Sequence, residues 1–273
     1  MILLFDIGNT HTHLGLADAR RVLKQANLPT VAWGRGTPRG VLQRFAGGAR
    51  LEGAALCSVV PRATAWVHQA IRQLWNLPCL ELTSKTLCGV GINYPRPATI
   101  GPDRLANAVA ARHHFGAPVV VVDFGTAVTF DVVDRAGDYV GGIIAPGLAA
   151  MTDYLHEKTA LLPRIRIREV QSVIGKSTEQ AMRVGAVQGY RGLIQELIRA
   201  LKRELKAPRL PVVATGGCAE LIGARLKVIT AVDPLLTLEG LRLEWQAKHP
   251  DRGDKSMSER GRARRSQETP VIC

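Results

Sequence analysis

A chain of 273 residues, 46% of them apolar, has material for one sizeable core or two modest halves packed together, and an aromatic content of only 5% points to an α/β interior of Val, Ile, Leu and Ala. No stretch reaches the roughly 20 uninterrupted apolar residues that a bilayer requires, and five scattered cysteines without a C-x-x-C pair argue against a disulfide framework or a zinc site. The formal charge of +13 suits anionic partners but does not choose among nucleic acid, membrane phosphates and small acidic substrates.

The chain opens on ILLFDI, which lacks the basic n-region and cleavage site of a signal peptide. It reads as a first β-strand, so a soluble, cytoplasmic protein is expected. Residues 2–18 (ILLFDIGNTHTHLGLAD) continue as a hairpin. Candidate strands follow at 53–60 and 79–82, with a helix at about 62–75. Gly101-Pro102-Asp103-Arg104 opens a helix at about 102–114. Pro102 suits its first position and Asp103 meets the positive end of the helix dipole, which is a sufficient structural reason for both. The functional reading makes Asp103 a general base for a substrate hydroxyl and Arg104 an anchor for a substrate carboxylate.

A second hairpin occupies 119–134 (VVVVDFGTAVTFDVVD), with a third strand after it in GDYVGGIIAPGL. A long helical pattern, about 178–206, starts at Ser177 with Gln180 three residues later, as in a capping box. LPVVATGG is a strand entering a glycine turn with a short helix beyond. A strand at about 226–230 and a last helix ending near 244 complete the folded part. In the remaining 245–273, Lys and Arg outnumber acids by seven to four. With few large apolar residues this basic tail is expected to be disordered, and its RGRARR run offers a contact for nucleic acid.

The two hairpins echo each other. Asp6 to Thr12 and Asp123 to Thr129 both read D-x-G-x-x-x-T, each between an apolar strand and a second strand ending in Asp. This suggests duplicated halves, 1–115 and 116–244. A glycine turn presents consecutive backbone N–H groups which, with Thr or Asn side chains, form an anion-binding concavity, while the adjacent carboxylate suits the accompanying cation. One such turn is commonplace; two in register facing each other would hold a nucleotide's phosphate tail and Mg2+ from both sides. Thr215-Gly216-Gly217 would let backbone approach a flat ligand such as adenosine, or serve as an ordinary strand-to-helix turn. The I-G-K-S-T segment at 174–178 imitates a P-loop, but Val170 stands where the leading glycine belongs, and neither a feeding strand nor a Walker-B carboxylate is evident.

Taken in order, Asp6-Ile7-Gly8-Asn9-Thr10, Gly101-Pro102-Asp103-Arg104, Asp123-Phe124-Gly125-Thr126-Ala127 and Thr215-Gly216-Gly217 resemble the motifs of type III pantothenate kinases, in the acetate kinase, sugar kinase, Hsp70 and actin superfamily. The resemblance spans about residues 1–244, including NAVAA at 107–111 and DPLLTLEGL at 233–241. It implies two ribonuclease-H-like domains, ATP in the cleft between them, ATP-dependent phosphorylation of pantothenate at the start of coenzyme A synthesis, and a homodimer. It also implies that residues 6–13, including His11, Thr12 and His13, form the first phosphate motif, with Asp6 near Mg2+. Gly125 and Thr126 would contact ATP, Asp123 would bind a monovalent cation (K+ or NH4+), and Thr215 to Gly217 would lie at the adenosine. Tyr94 and Gly101 to Arg104 would contact pantothenate, with Asp103 as proton acceptor, and Thr178 falls on a substrate-contacting position near a dimer interface. His11 and His13 read as exposed loop histidines, with no chemistry assigned. Two alternatives stand beside this reading: a kinase for another small hydroxyl substrate on the same fold, and a regulator similar to the Bvg accessory factors that binds nucleic acid through its tail.

Overall fold

The computed structural model describes residues 1–35 and 38–250. The chain runs through β1 (Ile2–Ile7), β2 (His11–Ala17), β3 (Val22–Pro29), α1 (Arg39–Ala46), β4 (Gly53–Ser58), α2 (Pro61–Trp75) and β5 (Cys79–Glu81). β6 (Gly91–Ile92) and α3 (Pro102–Phe115) follow, then β7 (Val119–Phe124), β8 (Ala127–Val133), β9 (Asp138–Pro146) and α4 (Leu148–Lys158). The chain closes with α5 (Thr178–Val184), α6 (Tyr190–Glu204), β10 (Val212–Thr215), α7 (Ala219–Ile222), β11 (Ala231–Val232) and α8 (Leu236–Lys248).

These elements form two mixed sheets, ordered β3-β2-β1-β4-β5 and β11-β10-β7-β8-β9-β6. In each, an antiparallel three-strand meander is extended by parallel strands beside its first member. The second sheet thus repeats the first strand for strand and adds β6 at its edge, so the α/β architecture with two actin-like sheets is the one observed. The Asp at the end of each echo is turn chemistry: Asp18 Oδ1 accepts from the N–H groups of Arg20 and Arg21, and Asp134 Oδ1 from those of Ala136 and Asp138.

β1 and β7 are apolar on both faces because both are covered. The strand period of two sorts their side chains. Leu3, Phe5 and Ile7 point to a core with α1 and α2, whereas Val120, Val122 and Phe124 point to one with α6 and α7. Ile2 and Leu4 share a third core with Val119 and Val121, filled by Leu105, Ala106 and Val109 of α3 and Leu238, Leu241 and Trp245 of α8. This core sits between the sheets, and the next residue in each of its columns is Asp6 or Asp123. The same alternation therefore delivers two carboxylates to the carboxyl ends of facing strands.

The halves interlock. β6 and α3 come before the second hairpin in the chain yet join the second sheet, while α8, last in the chain, packs on β1, β2, β3 and β4. Among the described residues no helix is long and apolar enough to cross a membrane.

Several elements differ from expectation. β3, α1, β6 and α4 add to the elements expected; in β3 only Val22 is buried, as on a solvated edge strand. The strand expected at 226–230 lies at Ala231–Val232, because Thr230 N–H to Val212 O and Asp233 N–H to Ala214 O anchor the pairing there. The helix expected over 178–206 is interrupted by a π turn at Gly185–Gly189, and the last helix runs to Lys248 with Trp245 buried, past the expected end near 244. The tail from 251 lies outside the described residues. At the P-loop imitation no strand feeds the turn. Instead Ser177 Oγ accepts from Gln180 N–H at 3.2 Å, and Gln180 Oε1 accepts from Lys176 N–H at 2.8 Å, a capping box reaching one residue further back than usual.

Gly240 lets α8 cross α3: a Cβ there would lie 2.0 Å from the carbonyl oxygen of Ala106. Gly240→Ala should therefore destabilise the protein by about 1–3 kcal/mol, since the clash with backbone outweighs the ~1 kcal/mol gain in helix propensity. Urea unfolding of the two proteins checks the sign.

Candidate active site

The two turns meet at the mouth of the inter-sheet core. Gly8 N–H closes the first turn on His11 O at 3.0 Å. Behind it, Thr30 Oγ1 donates to Gly8 O at 2.6 Å, and buried Thr12 lies within 3.2 Å of Thr30 Oγ1 and accepts from Trp33 Nε1 at 3.0 Å. Opposite, the second turn places Thr126 Oγ1 3.3 Å from Thr10 Oγ1. The two echoed turns thus face each other across a cleft of about 570 Å3.

Of the residues singled out in the sequence, Asp6, Gly8, Asn9, Thr10, His11, His13, Gly101, Asp103, Arg104, Asp123, Gly125, Thr126, Thr215, Gly216 and Gly217 line this cleft. Ile7, Thr12 and Pro102 do not. Ile7 and Thr12 point into the protein as support, both fully buried, and Pro102 takes the first position of α3, after Gly101 as N-cap. Tyr94 lies outside the cleft lining with its ring edge-on to Tyr139, 6.2 Å between centroids. Thr178 sits at the start of α5, also outside it. His11 and His13, expected on an exposed loop, belong to β2; His13 pairs across the ladder with Asp6 and its Nδ1 lies 2.7 Å from Asn27 Oδ1.

Gly216 has φ +88°, and a Cβ there would fall 2.5 Å from Asp123 Oδ1 and 2.7 Å from Phe124 N. Its glycine serves close packing over β7, whereas Gly217 borders open space where a ligand has room.

Four supporting residues escaped the sequence reading. Asn107 Nδ2 donates to Asp123 Oδ2 at 3.1 Å and is itself held by Thr237 Oγ1 at 2.8 Å. The Cys57 thiol, beside Asp6 on β4, donates to Asp6 Oδ1 at 3.5 Å. Asp131 of β8 accepts from Arg104 Nε at 2.5 Å. Asn107, Thr237 and Asp131 lie in stretches already singled out by motif and Cys57 in an expected strand, but none had a role there; an acid set among apolar residues two positions past Thr129 was the available signal for Asp131, which is fully buried.

The electrostatics set this cleft apart. Burial, reinforced by Asp103 and Asp123, pushes the Asp6 carboxyl up to about 8. Burial and Asp103 raise Asp123 to about 6 against the hydrogen bond from Asn107. Burial also raises Asp103, with the Arg104 backbone and guanidinium opposing. Burial and the charges of Asp6 and Asp103 push the Cys57 thiol well up, so it remains a donor. Arg104 is desolvated too, but Asp131 outweighs this and holds its guanidinium charged. Among the described residues no three His, Cys, Asp or Glu side chains converge tightly enough to hold a metal alone. The arrangement instead fits Mg2+ held by one or two carboxylates together with phosphate oxygens. Asp6 supplies such a group: among the described residues its hydrogen-bond donor is the Cys57 thiol, and no cation figures among the influences on its pKa.

Comparison with known proteins agrees with the geometry. The family profile described as type III pantothenate kinase matches residues 2–200. The chain is 44% identical over 245 residues to a type III pantothenate kinase of Methylacidiphilum infernorum, covering 89% of this chain and 87% of that one. It is 48% identical over 242 residues to one of Akkermansia muciniphila, covering 88% and 96%. Among solved structures, a Campylobacter jejuni protein assigned to the Baf family of transcriptional activators superposes with a TM-score of 0.58 at 20% identity, covering 91% of this chain and 99% of that one. A Sinorhizobium meliloti protein assigned as a 2-dehydro-3-deoxygalactonokinase does so with 0.59 at 14% identity, covering 90% and 96%. At these identities the two structures speak for the fold alone.

The raised carboxyls have a consequence for stability. Above about pH 4 the unfolded chain has released protons that the folded protein still holds on Asp6, so stability falls as pH rises from about 4 to about 8. Asp6→Asn should flatten this slope, with a gain over the parent on the order of 1 kcal/mol or more at pH 8 and little at pH 4. Denaturant melts at the two pH values, without nucleotide or divalent cation, check it.

Proposed function

The chain belongs to the type III pantothenate kinase family, and from that membership and the cleft we infer that it phosphorylates pantothenate with ATP, the first step of coenzyme A synthesis, with Asp103 as the proton acceptor. The observation that carries the reading is the meeting of the two echoed turns, Thr10 Oγ1 within 3.3 Å of Thr126 Oγ1, in a cleft that also holds Asp103 and Arg104.

Phosphoryl transfer asks a protein for positioning and charge neutralisation more than for covalent chemistry. On this reading the backbone N–H groups and hydroxyls of the two turns hold the phosphates, and Thr215 to Gly217 flank the adenosine. Arg104 meets the pantothenate carboxylate. Asp103 Oδ takes the proton of the primary hydroxyl as it attacks, and its burial keeps the carboxyl basic enough for that task. Mg2+, when bound with ATP near Asp6, neutralises phosphate charge. Asp123, fixed by Asn107 and through it by Thr237, is the proposed site of a monovalent cation, K+ or NH4+.

We extend the proposal to the division into halves 1–115 and 116–244, to a cytoplasmic setting, and to a homodimer. For the dimer, the exposed apolar side chains Ile144, Tyr154, Leu161, Val173 and Ile174 lie in one stretch of chain shortly before Thr178, which stands apart from its own cleft and is assigned near that interface. The regulatory alternative draws on residues outside the described ones, and the family assignment does not favour it.

Purified protein should phosphorylate pantothenate with ATP and Mg2+, with turnover depending on K+ when Na+ is the alternative. No turnover in either salt would overturn the reading. Asp103→Asn should lose about 10²- to 10⁴-fold in kcat while nucleotide binding survives. Equal loss of both would make Asp103 a helix-capping residue only. Because Asp103 must be ionised to act, kcat/KM should fall with decreasing pH through a value above the ordinary carboxylate range, as a pH–rate profile will show.

A further inference from the structure

Arg104 is held on every side but one. Its Nε donates to Asp131 Oδ1 at 2.5 Å and its Nη2 to Phe130 O at 3.3 Å, and its guanidinium carbon lies 5.7 Å from the centre of the Tyr139 ring. Among the described residues Nη1 has no protein partner, and Arg104 lines the cleft. Asp131, fully buried, is fixed in turn: Thr129 Oγ1 donates to its Oδ2 at 3.3 Å and the Tyr139 hydroxyl to its Oδ1 at 3.4 Å.

The strand opposite is shaped to the same end. The ladder partner of Asp131 is Gly142. A Cβ there would collide with Phe130 O at 1.6 Å and stand 3.0 Å from Arg104 Nη2, so glycine leaves the guanidinium its room. Tyr94 leans on Tyr139 from the far side, which links it to the Arg104 cluster although it does not line the cleft itself.

We infer that Asp131 is a positioning residue: it fixes Arg104 with Nη1 turned to the cleft, giving a preformed clamp that selects substrates bearing a carboxylate over their neutral amides. This rests on the reading that Arg104 meets the carboxylate of pantothenate. A guanidinium on a free side chain would have to order on binding; one already gripped through Nε and Nη2 presents its remaining N–H groups in a fixed plane, which suits a planar carboxylate. Asp131 makes no contact with substrate. It keeps a largely buried cation from turning away from the cleft.

Steady-state kinetics with pantothenate and with an N-alkyl amide of pantothenate test this, on wild type, Asp131→Ala, Asp131→Asn, Arg104→Ala and the Arg104→Ala/Asp131→Ala double variant. Wild type should prefer the acid. Asp131→Ala should raise KM for pantothenate roughly ten- to hundredfold, the loss expected for a hydrogen bond to a charged group, while KM for ATP and for the amide stay unchanged. Asp131→Asn keeps an acceptor for Nε and should recover part of the loss, and it carries the test alone should the alanine variant fail to fold. In the double variant the Asp131 change should add nothing to the loss from Arg104→Ala. A parallel rise for acid, amide and ATP, or additive losses in the double variant, would make Asp131 merely structural and overturn the inference. A wild type indifferent between acid and amide would instead remove Arg104 as carboxylate anchor. A wild type inactive on pantothenate would remove the functional reading beneath both.

Discussion

Two carboxyl groups held close by an apolar scaffold are the constraint around which this structure is organised. Asp6 and Asp123 each end an inward-facing column of side chains, Ile2-Leu4-Asp6 and Val119-Val121-Asp123, on sheets that share a single core between them. Burying that core contributes about 1.5–3 kcal/mol for each large aliphatic side chain. Bringing the carboxyls together with Asp103 works against it, as their upward-shifted pKa values show. The apolar columns position the acids and the acids strain the columns' ends. A protein selected for stability alone would place neutral side chains there.

The third carboxylate depends on how the halves exchange elements. α3 precedes the second hairpin yet packs on the sheet that hairpin builds, with α8 across it. That crossing needs Gly240, because the backbone of α3 lies where any side chain would go. It puts the first turn of α3, with Asp103 and Arg104, at the cleft, and places Asn107 one turn further on where it reaches Asp123. Asp103, Arg104 and the support of Asp123, the proposed general base, carboxylate anchor and cation site, thus share one helix, so a shift of α3 would disturb all three.

How much of this was legible in the sequence follows from range. The hairpins, the alternating columns and the opening of α3 are local patterns, and the echo between residues 2–18 and 119–134 foretold two sheets of like topology. β3 was hidden because an edge strand with one fully buried residue, Val22, and two half-buried ones, Ala26 and Leu28, carries only a faint alternation. β6 was hidden because two residues carry no period at all. The strand expected at 226–230 shows the opposite error: Val228 and Ile229 look like strand residues, but pairing is set by where β10 ends. In the site, the two glycine turns and Asp103 were readable from motif spacing. Asn107 with Thr237, and Arg104 with Asp131, are pairs separated by 130 and 27 residues, and only the folded chain brings them together. Gly216 was read as room for a ligand, whereas its own β7 is what it must clear.

The charge balance of the cleft bears on how anionic ligands enter it. The whole chain carries +13, enough to draw anions from a distance. Yet among the described residues that line the cleft Arg104 is the one Lys or Arg, beside three carboxylates, and Asp131 already occupies one edge of its guanidinium. On the proposed reading, the described part of such a cleft offers a triphosphate little by way of Lys or Arg. The hydroxyls of Thr10 and Thr126 and the N–H groups of the turns would then hold the phosphates, with much of their charge met by ions arriving with or before them. On that same reading, the acids that cost the fold stability are the groups that would recruit those ions, which would account for three buried carboxylates at a site for two anionic substrates.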